Sequence, residues 1–297
     1  MERQFRIISD GSCDLGPELA AEKEIEVVPF YVCFDGEEHK KEIVELNVRD
    51  FYARLVQHPG DFPYSAAPSP EDYAVLFEQA ARENEAVVCI CITEKFSCSV
   101  QSARIARDMT LDKYPKARIA VLDSTVNTVL QGLLTLEAAA LRDAGVEFKE
   151  AVRRLEELKG TGRIFFTVGS LDYLRHGGRI GKLAGFLGSV LDLRPLITLR
   201  EGEIHSSGAA RGRSQSREKV LELARRYVEE MGWRPAEVRL VVGYGYNREE
   251  AIAFRDELLK RLGWVKEKIE APLCQIGATI AVHTGPHPLG IGVLKKA

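Results

Sequence analysis

The chain has 297 residues, of which 45% are hydrophobic and 29% charged, a composition typical of a globular protein with two domains. Its formal net charge of −3 argues against a broadly basic face, so no nucleic-acid partner is expected. No apolar run approaches the ~20 residues of a transmembrane segment, and the short charged N-terminal lead predicts no signal peptide. The six cysteines lack paired metal-ligand spacing, which predicts reduced thiols in a cytoplasmic protein and no metal site.

The first half of the chain alternates short apolar runs with helical patterns. In chain order the pattern predicts a strand at 6–9, a helix at 16–23, a strand at 26–31, helices at 48–55 and 70–84, a strand at 86–92, a helix at 99–109, a strand at 117–122 and a helix at 131–144. Ser69, followed by Pro70, is the predicted N-cap of the helix at 70–84. This alternation predicts a mostly parallel, Rossmann-like sheet with helices on both faces.

A change of pattern after residue 160 predicts a domain boundary. A helix at 149–158 and the segment LKGTGR at 158–163 mark this boundary, which gives an N-terminal α/β domain at residues 1–160 and a C-terminal α/β domain at 161–297. The second half is predicted to contain a strand at 163–168, a helical turn at 170–176, a small-residue helix at 181–191, a hairpin at 196–206, a helix at 214–231, a strand at 237–244, a helix at 249–261, a strand at 265–269 and a last strand that runs into IAVHTGPHPLG at 280–290. The hairpin, around Glu201-Gly202, predicts a mixed sheet.

Hydroxyl-bearing turns follow several strands of the predicted N-terminal sheet. They lie at residues 9–14, 93–99 and 123–125, and a similar loop lies at 64–69. Each turn taken alone is better explained as a helix N-cap. Because ligands of open α/β sheets bind beyond the carboxyl ends of the strands, the turns together predict a site for a small anionic or carbonyl-bearing group.

Several catalytic motifs are missing from the sequence. There is no GxxxxGK[ST] phosphate loop, no GxGxxG after the first strand and no GxSxG nucleophile elbow. His283 and His287 are four residues apart, but Gly285 and Pro286 between them argue against a helical metal pair. A Ser97–His283 dyad for nucleophilic catalysis stays open, although no third group is readable.

A series of motifs resembles the DegV family of bacterial fatty-acid-binding proteins. In chain order they are IISDGSCDL, SAAPS, ITEKFSCSVQSA, SLDYLRHGGRI and IAVHTGPHPLG, and they cover practically the whole chain. The resemblance implies two α/β domains with a long-chain fatty acid buried at or near their interface. It implies carboxylate contacts from Ser65, Ser97 and His283. Supporting hydroxyls are expected at Thr93, Ser124 and Thr284.

The resemblance also implies a fatty acid kinase as partner. The bound acid would be presented to that kinase for acyl-phosphate formation, so this chain is expected to be a non-catalytic carrier without a cofactor, the fatty acid being its ligand. Arg175, Arg179 and Arg213 are candidates for a basic docking face near the cavity mouth. Departures from the family pattern at 66–67, Cys98 and 287–288 bear on acyl selectivity and on the kinase partnership.

Two rival hypotheses remain. One is a serine-dependent acyl hydrolase or transferase that uses Ser97 and His283, and the other is a structural protein whose lipid completes its core. Apolar walls for an acyl chain are expected from 184–190 and 276–281. Gly177-Gly178 is interpreted as a helix C-cap.

Overall fold

The computed structural model describes residues 4–186, 193–267 and 269–297. In the first half the elements are β1 (Arg6–Asp10), α1 (Pro17–Glu22), β2 (Ile25–Val28), β3 (Tyr31–Cys33), β4 (Lys40–Lys41), α2 (Val48–Gln57), β5 (Tyr64–Ala66), α3 (Pro70–Arg82), β6 (Val87–Cys91), α4 (Ser99–Lys113), β7 (Ile119–Asp123), α5 (Thr128–Asp143) and α6 (Phe148–Lys159). In the second half they are β8 (Arg163–Thr167), α7 (Asp172–His176), β9 (Leu193–Arg200), β10 (Glu203–Arg211), α8 (Gly212–Glu230), β11 (Val238–Tyr244), α9 (Arg248–Arg261), β12 (Leu273–Gln275), α10 (Ala278–Thr284) and β13 (Leu289–Lys295). Short 3-10 helices lie at Gly11–Cys13, Gly181–Phe186 and Pro235–Glu237.

The N-terminal sheet is parallel, with the strand order β2-β1-β6-β7. Every residue of β1 and β6 is buried, because α3 and α4 pack on one face of the sheet and α5 on the other. Ser69 caps α3: its Oγ accepts the Asp72 N–H at 3.2 Å, and the Asp72 carboxylate accepts the Ser69 N–H at 2.8 Å. The predicted parallel sheet and the predicted cap are confirmed.

The C-terminal sheet is mixed, with the strand order β10-β9-β8-β13-β11-β12. Its neighbouring strands are antiparallel except for β11 and β12, which are parallel. Glu201 and Gly202 turn the chain from β9 to β10 with φ of 52° and 81°. The predicted mixed sheet and hairpin are therefore confirmed.

A small antiparallel sheet, β4-β3-β5, lies apart from the two large sheets and carries the candidate binding residue Ser65. The prediction of one strand at 26–31 was wrong, because the chain leaves the parallel sheet after Val28 and starts β3 at Tyr31. Pro29 lies at the break and has no N–H to donate to a ladder. In the small sheet Val32 pairs with Ser65, which fixes the position of that hydroxyl.

The apolar run before the HTGP turn is a helix, α10, and its prediction as a strand was wrong. All residues of α10 except His283 are buried, and periodicity does not separate a buried helix from a buried strand. Gly285 ends the helix with φ of 70°. The change places the imidazole of His283 on the last turn of a helix instead of at the end of a strand.

The predicted strand at 265–269 was also wrong. Residues 265–267 form a turn, and the side chain of Val265 is 66% exposed instead of packing in a sheet. The strand that extends the sheet there is β12, which pairs with β11. Of the small-residue helix predicted at 181–191, Gly181–Phe186 is a 3-10 helix, and the remainder lies outside the described residues.

Helix α5 lies between the two large sheets and joins their cores. Leu130 and Leu134 belong to one buried cluster with Phe5 of the first half and Leu294 of the second. Val129 packs against glycine positions of β11 and β13, where the missing side chains permit the close approach. The division of the chain at residue 160 stays a prediction. None of the helices in the described ranges is both long and apolar enough to cross a bilayer.

Candidate functional site

A cavity of about 470 Å³ lies where the loops after β5 and β6 meet α10 and strands β8, β9 and β10. Its apolar lining consists of Phe30, Ala66, Ala67, Ile92, Phe96, Cys98, Phe166, Leu174, Leu199, Ile204 and Ile280, so the departures at 66–67 and Cys98 lie in the cavity wall. Its polar lining consists of Ser65, Ser97, Asn127, Arg179, Thr279, His283 and Thr284. Both halves of the chain contribute, and the volume is in the range that small organic ligands occupy (~300–1,000 Å³).

A second cavity, of about 40 Å³, adjoins the first and shares Phe166 and Ile280 with it. It is lined by apolar side chains of α5, β8 and β13, such as Val129, Ile164 and Leu289. Ile276 of the predicted wall at 276–281 lines this second cavity, and Ile280 lines both. The side chains of the other predicted wall, 184–190, lie outside the described residues.

Ser65 and His283 are brought together from opposite ends of the chain. The Ser65 Oγ and the His283 Nε2 are 3.3 Å apart, a hydrogen-bonding distance. Ser65 is held by the pairing of β5 with β3, and His283 by α10. A hydroxyl and an imidazole therefore face each other at one wall of an otherwise largely apolar cavity.

Ser97 also lines the cavity, but its Oγ accepts the Ser99 N–H at 3.2 Å. Within the described ranges, no hydrogen bond joins Ser97 to His283. The loop that carries Ser97 follows β6, as the sequence predicts.

The supporting hydroxyls separate into two groups. Thr284 lines the cavity, and its Oγ1 donates to the Ile280 carbonyl at 3.1 Å. The Thr93 Oγ1 instead donates to the Gly202 carbonyl at 3.5 Å, and the Ser124 Oγ donates to the Val126 carbonyl at 3.0 Å. Thr93 and Ser124 thus bond within neighbouring turns and are outside the cavity lining.

The imidazole of His283 is held in the neutral form. Burial lowers its pKa to about 4, and the positive charge of Arg179 acts in the same direction. Its Nδ1 is buried and has no hydrogen-bond partner within the described part of the chain. When the proton is on Nε2, the N–H points to Ser65 and the cavity, and the buried Nδ1 is an acceptor without a partner. This tautomer avoids a buried N–H donor that has no acceptor.

Gly177 packs directly under this imidazole. A Cβ at residue 177 would collide with the His283 Nδ1, although the backbone there has an ordinary φ of −73°. Gly178 has the left-handed φ of 70° that glycine tolerates after a helix. The C-cap interpretation therefore explains Gly178, whereas Gly177 is explained by the close approach of His283.

Arg179 lies at the exposed edge of the cavity and bonds both halves of the chain. Its Nε and Nη2 donate to the Phe96 carbonyl at 2.9 and 2.8 Å, and its Nη1 donates to the Gly177 carbonyl at 2.7 Å. From the sequence, Arg179 is expected in a basic docking face near the cavity mouth, and its place in the cavity lining is not predicted. A signal was available in the sequence, since the arginine directly follows the glycine pair.

The other predicted docking arginines have acidic neighbours. Arg175 forms an ion pair with Asp172 at 3.4 Å, and Arg213 binds the Glu250 carboxylate at 2.8 and 2.7 Å. Arg213 also donates to the main-chain oxygen of the exposed His287 at 3.0 Å. Asn127 and Thr279, which the sequence analysis did not single out, line the cavity as well.

The fold and the site define an α/β protein of two large sheets with an internal, largely apolar ligand cavity. The chain matches the family model described as uncharacterised protein, DegV family, over residues 4–296. A stearic-acid-binding protein from Eubacterium ventriosum is 39% identical, with a TM-score of 0.92 and 98% of each chain covered. A DegV family protein from Thermus thermophilus, whose structure is described for its fatty acid binding, is 30% identical, with a TM-score of 0.85, and 98% of this chain and 99% of that chain are covered. A DegV domain-containing protein from Deinococcus radiodurans is 31% identical over 97% of each chain. The chain therefore belongs to the DegV family.

Proposed function

We propose that this chain binds a long-chain fatty acid in the 470 Å³ cavity and holds its carboxylate at Ser65, Ser97 and His283. The observation that carries the proposal is the contact between Ser65 and His283 at the wall of a largely apolar cavity. The relatives from Eubacterium ventriosum and Thermus thermophilus, which are described as binding stearic acid and fatty acid, support the same ligand class.

The energetics of the cavity suit an acyl chain with a polar head. Each methylene that leaves water for an apolar wall gains about 0.8 kcal/mol, so the chain supplies most of the affinity. The carboxylate must be hydrogen-bonded to avoid a penalty of several kcal/mol. A neutral His283 donates one hydrogen bond through its Nε2–H, the serine hydroxyls donate others, and the guanidinium of Arg179 adds positive charge nearby.

We further propose that the chain is a carrier in the cytoplasm that presents the bound acid to a fatty acid kinase. Arg179 supports this because it is exposed at the cavity edge, where a partner would approach the head group. Arg175 and Arg213 would extend the same docking face. The two predicted domains, 1–160 and 161–297, would then meet at the ligand.

The geometry favours binding over acyl hydrolysis. The predicted Ser97–His283 dyad lacks its hydrogen bond, and the serine that does face the imidazole is Ser65. In either arrangement the Nδ1 has no carboxylate within the described ranges to orient the ring, whereas a catalytic triad requires one.

Mass spectrometry of the purified full-length chain tests the proposal against both rivals. Under native conditions we expect a single adduct with the mass of a long-chain fatty acid, and on denaturation the free acid should be released intact. A mass increase that survives denaturation and maps to Ser65 or Ser97 would indicate an acyl-enzyme and a hydrolase. If the stripped chain unfolds and does not rebind the acid, the lipid is structural.

A further inference from the structure

The helix that carries His283 is capped by an acidic side chain from the other half of the chain. Helix α10 begins after Gly277, which has no side chain for capping. Glu42, directly after β4, is 1% exposed, and its Oε1 accepts the Thr279 N–H at 3.0 Å. Its Oε2 accepts the Thr279 hydroxyl. Glu42 thus provides the cap that α10 lacks in its own sequence.

A second buried carboxyl group, that of Asp14, lies beside this cap. Asp14 is 8% exposed, and its Oδ2 accepts the hydroxyl of Thr128 at the start of α5. Its Oδ1 is buried and has no hydrogen-bond partner within the described ranges. A Cβ on Gly277 would lie 2.5 Å from the Glu42 Oε1 and 2.6 Å from the Asp14 Oδ1, so both oxygens converge where this glycine leaves room.

Within the described part of the chain, the largest charge effects on the two acids come from other acidic groups. The ionisable groups that act on them within the described part of the chain are the side chains of Asp10, Cys13, Tyr52 and Cys274. Burial raises the pKa of the Cys13 thiol to about 12 and the pKa values of Tyr52 and Cys274 well above their ordinary values, so these groups are neutral. Two ionised carboxylates would therefore be buried near each other, with the main-chain N–H groups at the start of α10 as partial compensation and burial as the larger, unfavourable effect.

The titration of the two acids fits this geometry. Burial raises the pKa of Glu42 to about 7. Burial, and then the charge of Glu42, raises the pKa of Asp14 well above its ordinary value. The direction is the same for both, which favours the retention of a proton on the pair as the pH rises.

We propose that Asp14 and Glu42 share one proton as an acid pair that positions α10, which makes Glu42 a positioning residue for His283. The protonated Asp14 Oδ1 donates to the Glu42 carboxylate, which keeps its two hydrogen bonds to Thr279. When the pH rises, the proton passes to water through the open cavity of about 510 Å³ that both acids line. Two repelling carboxylates then remain, and the start of α10 is displaced. The expected change in fatty acid affinity rests on the proposed function, whereas the existence of the acid pair does not.

The backbone beside both acids adopts left-handed conformations, which indicates that the surrounding structure holds the pair in place. Asp14 has a φ of 50°, and Ile43, directly after Glu42, has a φ of 72°. A β-branched residue in the left-handed region costs ~1–3 kcal/mol and persists only where packing enforces it.

The test compares the wild type with Glu42→Gln and Asp14→Asn in full-length chain, between about pH 6 and about pH 8.5. Both folded-state pKa values are raised, so the stabilisation from the pair is complete below the ordinary carboxyl range and is lost as the pH rises through about 7. In the wild type, the free energy of unfolding and the fatty acid affinity should both fall with pH, the affinity by about tenfold. In the Glu42→Gln variant, the neutral amide oxygen still accepts the Thr279 N–H at every pH. Because residue 42 no longer ionises, two repelling carboxylates cannot form, and both slopes should flatten. Asp14→Asn should flatten the slopes as well.

Glu45→Gln is the matched control, because Glu45 is exposed in the same loop and the charge change is identical. It should keep the wild-type slopes. A Glu42→Gln variant that also keeps both slopes would overturn the acid pair. If Glu42→Gln removes the pH dependence of the free energy of unfolding but not that of the fatty acid affinity, the positioning of His283 by Glu42 is overturned. If the wild type binds no fatty acid at any pH, the proposed function fails, and the stability slopes still decide whether the pair exists.

Discussion

At the scale of single residues, the site depends on how closely His283 is packed. The sequence predicted Ser65 and His283 as binding residues, and the fold places the two side chains 3.3 Å apart. It did not predict Gly177 as a contact of the imidazole, because the glycine and the histidine are distant in sequence and a glycine after a helix already has a local explanation. Only the three-dimensional contact distinguishes the roles of Gly177 and Gly178.

The glycine pair provides a matched test of this packing. Gly177→Ala should displace the imidazole and weaken fatty acid binding by about tenfold, the loss of roughly one hydrogen bond, with little change in the free energy of unfolding. Gly178→Ala should do the reverse: its φ of 70° makes alanine cost about 1 kcal/mol of stability, and no atom lies within 4 Å of the new Cβ. Binding titrations and urea unfolding of both variants check this, and equal affinities in the two variants would refute the contact.

At the scale of elements, helical periodicity predicted α3 and α8, whereas β1 and β6 were predicted as short apolar runs bounded by turns. The prediction for α10 failed because the helix has only seven residues and six of them are buried, which removes the alternation of buried and exposed positions that marks a helix. The loop that carries Ser97 shows the opposite case. The position of this loop after a buried strand was predictable from the sequence. The hydrogen-bond network that holds the loop was not, because its donor groups come from segments that are distant in sequence.

That network is centred on Asp10, at the end of β1. Its buried carboxylate accepts hydrogen bonds from the hydroxyls of Ser12 and Ser99, both at 2.5 Å, from the Gln131 amide at 2.8 Å and from the Ile92 N–H at 2.9 Å. Ser99 begins α4, directly after the loop of Ser97. A single carboxylate therefore fixes the entry to α4 against the parallel sheet.

Asp10→Asn should destabilise the fold and loosen this loop. An amide nitrogen in place of one oxygen turns an acceptor into a donor that faces other donors, so we expect the free energy of unfolding to fall by about 2–4 kcal/mol. Asp123→Asn is the control: Asp123 ends the neighbouring strand β7 but is only half-buried, and its loss should cost less than about 1 kcal/mol. Urea denaturation measures both, and similar losses in the two variants would contradict a special role for Asp10.

At the scale of the whole molecule, the two sheets share one buried core, which α5 joins, and one cavity, where α10 meets the first half of the chain. The order of strands and helices predicted the α/β class and the mixed second sheet. The acid pair of Asp14 and Glu42 could not be predicted, because Glu42 lies in the charged stretch EEHKKEIVE, which is typical of an exposed loop. Its burial arises only when the small sheet β4-β3-β5 covers the start of α10.

The central claim is that Ser65 and His283 recognise the carboxylate of an acyl chain in this cavity. The most direct measurement is a titration of delipidated full-length chain with a long-chain fatty acid and with its methyl ester. The wild type should bind the acid at least about tenfold more tightly than the ester, since the ester cannot accept charge-assisted hydrogen bonds. His283→Ala should remove most of that preference, whereas His58→Ala, at an exposed histidine, should retain it. Equal binding of acid and ester by the wild type, or an unchanged preference in His283→Ala, would contradict the account.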